Sequence, residues 1–413
     1  MLNFTLLLRN NVINLLLTFL LFVIFADPSN KIFHVKDSLF LLILSSWLIT
    51  TLFFTYNLPR KITYILIAIT IFFPLHGLFV MGINGIPFQI STPYFKSFFF
   101  FGLLLIIINL NINITQRFHY MSFMISVIVF TCLILFYFAR AQFDLVYNYL
   151  VINKQVAVAR GYFYHGHEMF TLFYKTSPLL LFPLGYYFQN LYFVTGKKSE
   201  KIYYLSAIGI TSIPFIFSST RANIIIFFTL VVIYSMHYIF IKNQKLFFAS
   251  LILFAFCAIC LIPSFSSLFS INETSNNIKF IYILDYMNLF KSDYKILFFG
   301  QGFNSCFHST FYNTNIYVTE LSYLEFIRIF GLPNTILFLI ILFYPIFVFY
   351  KNYEQYYAYR YVPISYTCYL IIAGTNPLLL SSTGMIAIVY VYSIMVINSP
   401  FFVPSKYRRA IVE

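Results

Sequence analysis

Apolar residues run through this chain in long blocks, each closed by a short polar break. Such blocks match the ~20 residues that an α-helix needs to cross a bilayer. They predict about twelve spans, near 10–26, 38–56, 62–82, 97–112, 121–138, 176–195, 202–217, 222–241, 246–263, 332–350, 361–379 and 383–398. The predicted fold is all-α, a polytopic membrane helix bundle forming one integral membrane domain over residues 1–413. No internal repeat and no linker divides it.

Two breaks are too long to be turns, 139–175 and 264–319. Long loops commonly carry function. The first, ARAQFDLVYNYLVINKQVAVARGYFYHGHEMF, is aromatic and basic. The second opens polar at SSLFSINETSNN and turns amphipathic through KFIYILDYMNLF, which predicts a short helix lying along a membrane surface.

Composition changes the solvent. The chain is 61% hydrophobic and only 9% charged, whereas soluble domains carry about a quarter charged residues. Phe richness suits a lipid face and is not a cofactor signal. Met1 to Ala26 has no basic n-region followed by a small-residue cleavage site, so it reads as a first span and not as a signal peptide.

Charge then orients the bundle. Short breaks on one side hold Arg60, Lys61, Arg117, Lys197, Lys198, Lys201, Lys242, Lys245, Lys351 and Arg360, and the termini add Arg9, Lys406, Arg408 and Arg409. The other side holds most acids: Asp27, Asp37, Asp144, Glu168, Glu273, Asp285, Asp293, Glu320 and Glu325. The positive-inside rule places both termini in the cytoplasm and both long loops outside. The net charge of +14 is therefore largely topology. Scattered over many turns and not gathered into a stripe, it excludes a nucleic-acid partner.

Candidate chemistry sits at the polar breaks. Arg221 lies in FIFSSTRANIIIFF, where Ser218, Ser219 and Thr220 can cap the helix that follows. A helix N-terminus beside a guanidinium suits phosphate; the bland alternative is an arginine snorkelling to the headgroups. Arg160 stands within eight positions of His165, His167 and Glu168. Thr171 occupies the place where a zinc-protease motif needs its second His, so that signature is absent; His165 and His167 alone are the weak alternative for a metal, and none is expected. Gly300-Gln301-Gly302 marks a sharp turn, and His308 stands alone among polar residues. Glu325 and Arg328 are three apart and can pair on a helix. Glu320 has no partner at such spacing, and a carboxylate at the membrane needs a reason. Cys257 and Cys260 fall inside a span as a helix face, and no disulfide is expected. His76 and His237 lie in spans without a nearby acid, which weighs against a membrane acyltransferase.

The order of these features resembles the Wzy-type O-antigen polymerases and, more distantly, the O-antigen ligases. The matching residues are Arg160, Ser-Ser-Thr-Arg221, a large loop, Gly-x-Gly with His308, Glu320-Leu-Ser-Tyr-Leu-Glu325 running into Gly331, and AGTNPLLLSSTG from Ala373 to Gly384. The resemblance implies a glycosyltransferase of the bacterial inner membrane that acts in lipopolysaccharide biosynthesis. It would join undecaprenyl-pyrophosphate-linked repeat units into O-antigen at the periplasmic face. Its partners would be those glycans, membrane lipids and a chain-length regulator protein, with no cofactor. Arg160, Arg221, His165, Glu168 and Tyr323 would hold the substrate, while Glu320, His308 or His167 would take the acceptor proton. A His in the large loop is usual in the ligases, which keeps the ligase alternative. A lipid-linked oligosaccharide flippase would place its charges within spans and keep its outer loops short.

Overall fold

Helices occupy most of the chain in the computed structural model, which describes residues 11–51, 58–87, 92–164, 167–193, 197–217, 221–252 and 274–399. Four of them are long and apolar enough to cross a membrane: Arg60–Ile83, Ile114–Phe138, Ala222–Lys242 and Leu332–Lys351. Ile13–Ala26, Tyr94–Leu110 and Ser382–Ile397 are apolar but shorter. Several helices could thus span a membrane, which points to a membrane protein. Among the described residues, length and composition support these four and do not reach the twelve expected. A helix does stand at each expected position that is described, but some are short or broken. Tyr94–Leu110, for example, tightens into a 3₁₀ turn at Phe100–Gly102. The expected span 246–263 falls mostly outside the described residues, as do Cys257, Cys260, Arg9 and the C-terminal basic residues.

In chain order we label the helices α1 (Ile13–Ala26), α2 (Lys36–Thr51), α3 (Arg60–Ile83), α4 (Tyr94–Leu110), α5 (Ile114–Phe138), α6 (Arg140–Tyr147), α7 (Leu181–Phe193), α8 (Lys198–Phe217), α9 (Arg221–Lys242), α10 (Thr274–Ser292), α11 (Tyr294–Phe299), α12 (Ser322–Phe330), α13 (Leu332–Lys351), α14 (Tyr361–Gly374) and α15 (Ser382–Ile397). Residues 244–252 are helical as well. Helix α3 contains a π turn at Ala68–Phe72.

Helix α15 is the axis of the bundle. Every residue from Ser382 to Val396 is buried, as expected of a helix that is apolar all round. Tyrosine hydroxyls tie its neighbours to it: Tyr392 donates to the Ile341 carbonyl at 2.6 Å and Tyr356 to that of Met395 at 2.8 Å. The outer helices behave differently. On α5, Tyr120, Phe123, Val127, Phe130, Ile134 and Tyr137 are exposed along one face, an arrangement that lipid favours and water does not.

The all-α expectation needs correction in both long loops. Residues 157–174 form an antiparallel hairpin, β1 (Ala157–Tyr164) with β2 (His167–Tyr174), in register from Ala157 opposite Tyr174 to Tyr164 opposite His167. Val158, Phe170, Leu172 and Tyr174 supply the aromatic and branched side chains that suit a pleated surface. A smaller hairpin pairs β3 (Phe307–Ser309) with β4 (Thr314–Ile316). The helix expected from the amphipathic stretch is present as α10, with Phe280, Ile283, Leu284 and Met287 exposed.

Candidate functional site

Both long loops gather at one end of the bundle, and the chemistry gathers with them. The α1–α2 loop is built on Asp27, which is fully buried. Its carboxylate accepts the backbone N–H groups of Lys31, Ile32 and Phe33 at 2.8, 2.7 and 2.9 Å. A buried carboxylate satisfied by backbone donors in this way is fixed and largely spent.

That loop docks onto the foot of the first hairpin. Ser29 Oγ donates to the Lys154 carbonyl at 2.9 Å, and Lys154 Nζ donates back to the Lys31 carbonyl at 2.8 Å. Lys31 Nζ reaches Gln155 Oε1, and Thr176 Oγ1 reaches the Phe25 carbonyl. The Tyr174 hydroxyl donates to the Ala26 carbonyl. Lys36 ties the same loop to the bundle. Only 7% exposed, its ammonium donates to the Pro28 carbonyl at 2.8 Å and to Ser382 Oγ at 3.3 Å, at the first turn of α15.

Four lysines therefore gather around this loop: Lys154 reaches the Lys31 carbonyl, and Lys175 lies near enough to Lys31 and Lys36 for their charges to act on one another. Among the described residues none lies within 4 Å of a carboxylate, whereas neighbouring Lys96 pairs with Asp37 at 3.0 Å. Burial pushes Lys36 below the usual lysine range, with Lys175 and Lys96 adding to the effect against Asp37 and Asp27. Lys175 is lowered as well, by burial and then by Lys31. With Asp27 taken up by backbone donors and Asp37 paired to Lys96, cations gathered beside a positive helix end form an arrangement that an external anion relieves.

The second long loop makes a separate body. Its hairpin packs Phe307 against Tyr286 of α10, the rings tilted by 36° with centroids 4.7 Å apart. Asp285 holds the same hairpin, accepting from the backbone N–H and the hydroxyl of Thr310 at 3.1 and 2.8 Å. Below it lies a buried ion pair, Glu325 with Arg328, 1% exposed each. Tyr286 donates to the same carboxylate and accepts from Thr319. The remaining guanidinium donors go to the backbone oxygens of Ser305 and Tyr317 at 2.6 and 2.9 Å. Burial lowers the Arg328 pKa, and Glu325 beside it more than restores it.

The candidate residues read from sequence divide between these bodies. Arg160 belongs to β1 opposite Thr171, His167 and Glu168 open β2, and Arg221 is the first residue of α9, where the sequence places a helix start. The side chains of these four, and the whole of His165, lie outside the described residues. Arg160 follows the hairpin foot at Ala157 by three residues, roughly 10 Å along a strand. His308 is exposed on β3 opposite Asn315. Glu320 does have a partner, contrary to expectation: Lys279 of α10 stands 3.5 Å away, with the carboxylate side chain 45% exposed. Helical spacing could not reveal a pair made between α10 and the loop before α12. Tyr323 is occupied structurally, its hydroxyl donating to the Leu370 carbonyl at 2.8 Å.

Sequence reasoning missed the lysine cluster altogether. Its members come from the α1–α2 loop and from both flanks of the first hairpin, so no motif connects them. No protein-family model, curated protein or solved structure matches this chain.

Proposed function

We propose that this chain is a membrane glycosyltransferase of the O-antigen polymerase type, acting on glycans carried by a lipid pyrophosphate. The single observation that carries the reading is the cluster of Lys31, Lys36, Lys154 and Lys175, unpaired with any described carboxylate, under the hairpin that bears Arg160. A departing pyrophosphate needs fixed positive charge more than it needs acid catalysis. In this reaction the acceptor hydroxyl oxygen attacks the anomeric carbon of the donor. The bond from that carbon to the pyrophosphate oxygen breaks, and its electron pair leaves with the pyrophosphate. The acceptor proton passes to Glu320, the half-exposed carboxylate of the second loop. We assign about twelve spans, a cytoplasmic position to both termini, and the periplasmic side of a bacterial inner membrane to the loop-rich end. Reporter fusions active in the periplasm at Lys198, and inactive at Asn313, would overturn that orientation.

The experiment that tests the function is deletion of the gene followed by gel analysis of the surface polysaccharide. A polymerase null leaves lipid A core capped by a single repeat unit. Complementation with Arg221→Lys or Arg160→Lys should insert and accumulate yet restore no long chains, because lysine offers a point charge where guanidinium offers a fork. A full ladder in the deletion strain sinks the reading. The second reading, a ligase, is favoured by the exposure of His308 on its hairpin, and would leave no capped core at all.

A further inference from the structure

A cleft of about 800 Å³ opens at the loop-rich end, apart from the lysine cluster, between the last turns of α3 and the segment from Asp293 to Tyr317. Its size is that of a ligand site. Its lining is partly apolar, with Phe79, Ile83 and Phe299, and partly amide, from Asn84, Gln301 and Asn304.

Asn304 is the residue that needs an explanation. It is only 7% exposed, yet its side-chain amide makes no hydrogen bond to any described residue. Its backbone is left-handed, φ 56°, a conformation that Asn tolerates better than most residues. That accounts for Asn at this position; its amide, unpartnered among the described residues, opens onto the cleft, where a hydroxyl can both donate to it and accept from it. Gln301 is similar: its Oε1 accepts weakly from Arg328 at 3.4 Å, while its Nε2 has no partner among the described residues. Opposite them, His76 Nε2 meets Asn334 Nδ2 at 3.0 Å, and this amide nitrogen also donates to the Phe330 carbonyl. Nε2 therefore accepts, the ring proton sits on Nδ1, and that nitrogen is buried without a partner.

The cleft is rigid at its floor. Gly302 has φ +82°, and a Cβ there would stand 2.3 Å from the Met81 backbone nitrogen. Gln301 N and Gly302 N donate to the carbonyls of Arg328 and Ile329 at 2.6 and 3.0 Å, and Asn84 Nδ2 donates to the Gln301 carbonyl at 3.0 Å. The site is also electrically quiet inside. Arg328 lies behind it and is paired with Glu325; Lys295 and Asp293 are exposed at the rim, where Asp293 caps α11.

We propose that this cleft binds an uncharged sugar of a lipid-linked glycan, its hydroxyls on the Asn304 and Gln301 amides and its apolar side on Phe79, Ile83 and Phe299. An amide offers a donor and an acceptor together, which is what a sugar hydroxyl presents in return. The one lysine here, Lys295, stands at the rim beside Asp293, whereas a phosphate has several lysines at the other site. In the glycosyl-transfer reading, on which this inference rests, the cleft selects which sugar is accepted.

The test uses the purified full chain in lipid nanodiscs and two photoreactive probes of equal chain length, an alkyl β-glucoside and an alkyl phosphate, each with a diazirine in the alkyl chain. The glucoside should label peptides covering 76–87 and 293–306, and excess octyl glucoside should compete it away. Asn304→Gly, which keeps the left-handed backbone, should cut that labelling at least ten-fold while the thermal midpoint stays unchanged. Glucoside labelling that ignores Asn304→Gly, or that is matched by the phosphate probe, means a non-selective lipid groove and overturns the proposal. Should the variant unfold, the wild-type map decides: label outside these peptides overturns the proposal, and competed label within them supports it. Failure here with polymer still made in cells leaves the functional reading intact. Labelling without any polymerase phenotype leaves a sugar site and removes the polymerase.

Discussion

The Arg328 guanidinium donates to the backbone oxygen of Ser305, 23 residues upstream, at 2.6 Å while it pairs with Glu325 on its own helix. One side chain thus ties the cleft segment to the start of the helix that leads into α13. Removing one member of a buried pair strands a charge and costs about 3–5 kcal/mol. Glu325→Gln should lower the thermal midpoint in detergent sharply and open the segment 293–321 to trypsin at Lys295. Glu325→Leu with Arg328→Met should be less damaging than the sum of the single changes, with a coupling of about 2 kcal/mol. Additive single changes would show that the pair does not act as a unit.

Lys36 yields a pH prediction with two opposed signs. Its folded pKa is lowered from 10.5, chiefly by burial, so on raising the pH the folded protein loses this proton before the unfolded chain does. Between the lowered value and 10.5, anion binding should fall while the stability contributed by this site rises, because a buried charge disappears. Polymer formation and thermal midpoint measured across alkaline pH should therefore diverge. Lys36→Met should hold or raise the midpoint yet lose roughly 10–100-fold of activity, the worth of one charged hydrogen bond. Activity that persists in Lys36→Met removes Lys36 from the anion site.

Glu320 and Lys279 separate catalysis from structure. An exposed pair at 3.5 Å is worth at most ~1 kcal/mol, so Lys279→Ala should leave polymer yield within a few-fold of wild type. Loss of a general base typically costs roughly 10²–10⁴-fold in rate. Glu320→Gln should accordingly leave protein level unchanged and nearly abolish product from a purified lipid-linked substrate. Equal effects from the two variants would assign the base to another residue, with His308 and His167 next in line.

Gly302→Ala should be costly although it adds one methyl group. The left-handed backbone alone penalises a Cβ by about 1–2 kcal/mol, and the Met81 nitrogen stands where the methyl would go. Loss of the folded fraction in size-exclusion chromatography is the expected result. Wild-type behaviour would mean that the loop can lift away from α3.

Much of the helical frame is legible in the sequence, because apolar blocks of span length have few other uses. Span number is less so: Tyr94–Leu110 is apolar enough but bent through a 3₁₀ turn, a local geometry that hydropathy does not encode. The first hairpin left a trace in its aromatic and branched residues, which reads as a loop when only helical periods are sought. Lys36 and Ser382 lie 346 residues apart, and no spacing rule reaches that far. Asn304 follows a Gly-x-Gly that reads as a turn; its unpaired amide is a property of the folded walls around it.

The π turn at Ala68–Phe72 acts as a rotary adjustment. It takes one residue more than an α turn, and one residue of α-helix is about 100° of azimuth. Everything beyond it on α3, His76 and Gly77 included, is dialled round by that angle relative to an unbroken helix. Deleting a single residue between 68 and 72 would keep composition and hydropathy almost intact yet swing His76 away from Asn334, and the Gly77 notch away from the Phe303 ring that fills it. The cleft wall is thus indexed by a length defect lower on the same helix, and a one-codon deletion there would change which side chains line the cleft.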